Sequence, residues 1–129
     1  QKFAHDLIDA GVHVVHGHSS HHPKAIEIYR QWPILYGCGD LINDYEGIDP
    51  TDPFRGDLGL MYFVDVSLAD GSLTNLRLVP MQMQRFRLTR PAEADVRWLH
   101  DRLNEQSRPF GAAVHFAADG TFVVNSATT

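Results

Sequence analysis

The sequence predicts a mixed α/β domain, and three observations carry that reading. Apolar residues fall at helical spacing in two places, short β-branched runs end at glycine or proline, and two turn signals separate apolar runs of hairpin type. Phe3, Leu7 and Ile8 give the end of a helix over residues 1–10, with Gly11 as its stop. Val12-His13-Val14-Val15-His16 reads as a short buried strand, and residues 17–23 as a polar turn. Residues 25–32 alternate, and Pro33 is expected to end that strand before Ile34-Leu35-Tyr36 forms the next. The strands at 12–16 and 34–36 are expected to be core neighbours, joined through residues 25–29.

Residues 41–57 read as a loop. The stretch carries Gly47, Pro50, Pro53 and Gly56, and five acids lie between Asp44 and Asp57, so it is expected to be exposed and weakly anchored. Its functional reading is a rim over whatever site the preceding turns build. Residues 58–68 and 73–79 then form a hairpin around Ala69-Asp70-Gly71-Ser72, with 81–88 continuing as an extended edge. This hairpin is expected in, or along the edge of, the same sandwich. Pro91 opens a helix of about four turns whose stripe is Val96, Leu99 and Leu103, flanked by Trp98. Val114-His115-Phe116 and Phe122-Val123-Val124 make a second hairpin across Asp119-Gly120. Nothing in the pattern divides residues 1–129 into more than one domain.

Composition excludes several classes of function. With 129 residues, 43% of them apolar and 21% charged, the chain is an ordinary globular sequence rather than a fibrous or disordered one. A net charge of −5 argues against a nucleic-acid surface. No apolar run approaches the ~20 residues of a membrane span. Cys38 is the single cysteine, so no internal disulfide is possible and a structural zinc domain has neither a Cys-x-x-Cys pair nor a His-Glu-x-x-His run to rest on. The chain opens at Gln1 inside an amphipathic pattern, which gives the expectation that it is cut from something longer.

Histidine is where chemistry concentrates. Five of the eight histidines (His13, His16, His18, His21 and His22) fall within ten residues. A strand ending in glycine and followed by imidazoles is one way to build a metal site, because the strand fixes the backbone and the glycine turns it. His18 and His21, three apart, converge if the turn folds back; a solvated turn without chemistry is the equal alternative. His5, His100 and His115 carry no functional reading, the last two being structural or exposed.

The run from Asp9 to His21, then Ile26-Glu27-Ile28-Tyr29, then Pro33-Ile34-Leu35-Tyr36-Gly37-Cys38-Gly39-Asp40, resembles the C-terminal part of the CapA family. These are bacterial capsule (poly-γ-glutamate) synthesis proteins with a calcineurin-like metallophosphoesterase fold. Their pattern is Gly-His-x-x-His after a strand, a Gly/Ala-Ile-Glu-x-Tyr strand, and Pro-Ile-x-Tyr-Ser-x-Gly-Asn. The resemblance places His18 and His21 on the metal-binding histidines and Glu27 on the glutamate of the next strand. It implies divalent metal (Mn, Fe or Zn), two ions in an intact protein, and a metal-dependent hydrolase. His22, or else His16, would then be a proton donor or oxyanion contact. Asp40 joins the catalytic candidates as a ligand, as a partner orienting a histidine, or as a helix cap. Ser20, Gly37 and Asp40 depart from the usual proline, serine and asparagine.

The family's N-terminal aspartate, Asn-x-Glu and Asn-His motifs have no counterpart in this chain, so it resembles the C-terminal half of such a protein, with half a site. Its implied partners are the missing N-terminal half and, beyond it, capsule-synthesis proteins or an anionic polymer. An envelope location is the corresponding expectation. The competing reading is a non-catalytic module that docks a partner or polymer of the synthesis machinery.

Overall fold

A computed structural model describes residues 1–43 and 53–126. The expected first helix is α1 (Lys2–Asp9). Gly11, at φ +99°, ends it: its N–H donates to Ile8 O and that of Val12 to Leu7 O, the two bonds of a Schellman cap. Ala4 and Ile8 are buried and pack on Ile34, while Phe3 faces solvent.

The run 12–16 corrects one expectation. Only β1 (Val15–His16) is strand, and Val12, His13 and Val14 are exposed. Part of the reason is that Val12 still serves the helix cap. The rest is that β1 has a neighbour on one side only, so its β-branched residues fix an extended chain without burying it. Its partner is the expected one, β3 (Trp32–Leu35), which it meets in parallel with Val15 opposite Ile34.

β2 (Ile26–Tyr29) pairs antiparallel with the other side of β3 and completes a sheet ordered β1-β3-β2. Pro33 does not end a strand, as expected from the sequence, but lies within β3 opposite Ile28. It is tolerated because β1 reaches only Ile34 and Leu35, so Pro33 has a strand on one side alone. The chain reverses two residues earlier, at Arg30 (φ +50°) and Gln31 (φ +80°). Such a left-handed pair matches the twist of a hairpin but is costly for side chains other than Gly, Asn or Asp. Arg30 is held there by its ion pair to Asp9 (2.9 Å) and its stacking over Tyr29. Gln31→Gly is therefore expected to raise stability by up to ~1 kcal/mol, read as a higher denaturation midpoint.

The second sheet is ordered β4-β5-β8-β7: β4 (Leu58–Val66), β5 (Leu73–Gln84), β7 (Ala112–Phe116) and β8 (Phe122–Ser126). β5 outruns the expected hairpin, and the extended edge expected over 81–88 is instead broken by a left-handed turn at Arg85 and Phe86, after which β6 (Arg87–Thr89) pairs back on β5. α2 (Glu93–Ser107) lays Leu99 and Leu103 into the core, with Val96 and Trp98 half-buried beside them, and a 3-10 turn (Arg108–Phe110) leads to β7. Ile26 and Leu35 of the first sheet share that core with Leu60, Leu78, Phe122 and Val124 of the second. The hairpin thus belongs to the same sandwich. Ser107, fully buried at the end of α2, accepts the Ile26 N–H at 3.0 Å.

The expected acidic loop lies outside the described residues over 44–52. Its end, residues 53–57, is anchored rather than loose. Arg55 donates to both Asp57 (2.8 and 3.0 Å) and Asp95 (2.9 Å) and lies over Trp98. The Arg55 bond holds the Asp57 carboxyl below its usual range, helped by Gln82 and opposed by burial. A depressed carboxyl contributes stability above the unfolded pKa of ~3.9 and loses it as pH falls through the folded value. Asp57→Asn should therefore flatten the acid limb of the stability profile below about pH 4, measured by denaturation across pH.

Candidate functional site

Residues 17–22 leave the end of β1 and lie backbone to backbone against the exit of β3. Gly17 N–H donates to Leu35 O (2.7 Å) and Gly17 O accepts from Cys38 N–H (3.1 Å); Lys24 N–H then reaches Gly37 O (2.8 Å). A side chain at Gly17 would put a Cβ 2.4 Å from Tyr36 O, and one at Gly39, where φ is +71°, would stand 2.9 Å from the His22 carbonyl carbon. These two glycines are what lets the histidine turn sit on the second strand end. Within it Ser19 (φ +70°) and His21 (φ +57°) are left-handed, and Ser20 Oγ donates to His22 O.

That geometry brings His21 onto Asp40. The imidazole Nδ1 donates to Asp40 Oδ2 at 2.8 Å, and Asn43 Nδ2 donates to the same oxygen at 3.0 Å. The His21 bond holds the Asp40 carboxyl below its ordinary range, with Asn43 adding to it against the effect of burial. Of the three roles open to Asp40 in the sequence, the structure displays the hydrogen-bond partner of a histidine. A carboxylate only accepts, so His21 carries a proton on Nδ1; in the neutral ring the lone pair is then on Nε2, the tautomer a metal ligand needs.

His18 is exposed, with Ser19 Oγ 2.8 Å from its Nδ1. His22 turns into a cleft lined by Pro23, Trp98 and Leu103, its ring stacked on Phe54 at 4.5 Å. His16 is exposed on β1, and His13 lies 6.3 Å from the Trp32 ring. Among the described residues no group of three or more His, Cys, Asp or Glu side chains gathers to hold an ion. Cys38 is half-buried, and burial pushes its thiol up to about 11, which suits a packing residue better than a thiolate ligand.

One polar cluster is not visible in the sequence pattern. The Glu27 carboxylate is buried between α1 and the first sheet, accepting from His5 Nε2 at 2.8 Å and from Tyr36 O–H at 2.5 Å. His5 is stacked on Tyr29 at 3.8 Å. Burial and the neighbouring Glu27 push the Tyr36 phenol above its ordinary range. The alternation of 25–32 puts Glu27 on the side away from Ile26, but nothing local marks His5 as its partner. The cluster fastens α1 to the sheet that carries the histidine turn.

Residues 1–45 match the family model described as bacterial capsule synthesis protein PGA_cap. The probable polyglutamine synthesis accessory protein of Mycobacterium tuberculosis, in two strains, is 51% identical over 112 residues. The chain is a portion of a capsule-synthesis protein of this type. The alignment takes in 87% of the chain and 30% of the M. tuberculosis protein, so the chain spans under a third of that relative's length. An uncharacterized protein of Sinorhizobium fredii is 37% identical over 65 residues, covering 50% of the chain and 13% of its own length. Every histidine-turn residue, Glu27 and Asp40 fall inside the part that matches the capsule-synthesis model.

Proposed function

We propose that the chain is the C-terminal part of an accessory protein of poly-γ-glutamate capsule synthesis that, intact, is a metal-dependent hydrolase of metallophosphoesterase type. The observation that carries this is the His21–Asp40 pair at two adjoining strand ends: an imidazole oriented by a carboxylate is how metal-binding histidines are held. His21 and His18 would hold the ion through Nε2. Asp40 fixes the ring of His21, and His22 is the candidate proton donor on the other side of the turn. The remaining ligands would come from the N-terminal half of the same protein, since the described residues bring the His21–Asp40 pair and no cluster of three or more ligating side chains. When bound, a divalent cation such as Mn, Fe or Zn lowers the pKa of a water and polarises the bond to be cut; two ions are expected in the intact protein.

The test is metal-dependent hydrolysis by a longer protein that includes this chain, assayed on an aryl phosphodiester and on poly-γ-glutamate. Turnover that needs the metal supports the reading; polymer binding without turnover, with or without metal, favours a docking module instead. The 129-residue chain alone should bind Zn or Mn weakly and turn over neither substrate, and robust turnover by it would overturn the half-site argument. Asp40→Ala should weaken metal binding about 10–100-fold, measured by titration calorimetry. Asp40→Asn, which keeps an acceptor for Nδ1–H, should lose much less.

A further inference from the structure

The β5–β6 turn projects a basic, aromatic tip from an otherwise acidic chain. Arg85, Phe86 and Arg87 are exposed at the turn, Phe86 by 56%, and Arg90 is exposed at the other end of β6, past the Gln82–Thr89 pair. Elsewhere cations are largely spoken for: Lys2, Arg30, Arg55, Arg97 and Arg102 each lie against a carboxylate. Among the described residues none of Arg85, Arg87 and Arg90 has an ion-pair partner. In a chain of net charge −5, three unpaired guanidinium groups within six residues are a local reversal of sign. The backbone is also held in an unfavourable form there, with Arg85 at φ +50° and Phe86 at φ +59°, where hairpins ordinarily use Asn or Gly.

The tip stands next to the candidate site. Asp40 is bonded to Asn43, whose N–H reaches Met83 Sδ at 3.4 Å. Arg85 follows two residues later, about 7 Å further along the strand direction. A ligand gripped at the tip would thus lie across the edge where His21 and Asp40 are presented.

We infer that this tip docks a linear polycarboxylate, an inference that rests on the preceding reading in taking the capsule polymer as its ligand. Guanidinium forks take carboxylates two bonds at a time, and successive carboxylates on an extended polymer suit arginines spaced along a hairpin. An anionic membrane is the poorer fit, because a single exposed phenylalanine flanked by Gln84, Arg85 and Arg87 offers little apolar area to insert.

The experiment is fluorescence anisotropy of labelled poly-γ-glutamate with the full 129-residue chain at low and moderate salt. Parallel arms use inorganic polyphosphate and phosphatidylglycerol vesicles. The triple variant Arg85→Gln/Arg87→Gln/Arg90→Gln should bind the polymer about tenfold or more weakly. Lys2→Gln/Arg97→Gln/Arg108→Gln, with the same change in net charge, should stay within about twofold of the parent. Binding should weaken as salt shortens the screening length. Equal losses in the two triple variants, or preference for polyphosphate or vesicles over the polymer, would overturn the proposal. Circular dichroism of each variant separates lost binding from lost fold; should the tip triple fail to fold, Arg87→Gln alone must still weaken binding measurably. Tip-dependent binding without turnover by the longer protein would sink the hydrolase reading and leave the docking tip standing. Turnover on polymer that ignores the tip triple would do the reverse.

Discussion

Phe122→Ala is expected to cost the fold about 3–5 kcal/mol, a large share of the ~5–15 kcal/mol a domain of this kind possesses. Phe122 has no exposed surface and sits opposite Leu78 where β8 joins β5. Its ring also meets Phe116 edge-on at 5.4 Å and His100 at 5.5 Å. Truncation therefore empties a volume bounded by two strands and a helix, none of which can close it alone. Urea denaturation should show the midpoint falling steeply with little change in slope. A loss below about 1 kcal/mol would mean the sheets repack freely, contrary to the shared core described above.

The second large effect is functional. In a longer protein with metal-dependent activity, His21→Ala should lower turnover by at least about 100-fold while moving the melting temperature little. His21 is exposed on its turn and contributes little packing, so stability and activity separate cleanly at this position. His18→Ala should behave alike. If His21→Ala left the metal-loaded rate unchanged, the ligand role would fail even though the hydrogen bond to Asp40 is present.

Much of the fold is legible because it is written locally. The Val96, Leu99, Leu103 stripe and the Asp70-Gly71 and Asp119-Gly120 turns state their structure within a dozen residues, and the helix and hairpins stand where the pattern puts them, save that the helix begins at Glu93, with Pro91 just ahead of its N-cap, rather than at Pro91. What misleads are residues whose surroundings decide. Val12 and Val14 have strand chemistry, but only a neighbour on the far side could have buried them. Arg30-Gln31 and Arg85-Phe86 turn the chain without the Gly or Asn that announces such a turn, and Pro33 reads as a terminator because its one-sided pairing cannot be seen in the sequence.

The candidate site divides in the same way. Parallel neighbours present their C-terminal ends on one edge, so a histidine turn after β1 and an aspartate after β3 can be expected to meet, and His21 and Asp40 do. The direction of His22 is not legible, because the left-handed Ser19 and His21 break the alternation that predicts where a side chain points. His5 and Glu27 lie 22 residues apart on a helix and a strand whose docking no local pattern gives.

The bond from Ile26 to Ser107 joins positions 81 apart in the chain. It ties the stretch that matches the capsule-synthesis model to the last helix, and the buried faces of β2 and β3 wait for the same helix and for β8. The unit of recognition and the unit of folding therefore have different boundaries. Residues 1–45 can close their hairpin early, but they become cooperative only once distant sequence has been recruited, at the loop-closure cost that slows folds of high contact order. Cut after residue 45, the family segment would keep its motif and lose the ground beneath it.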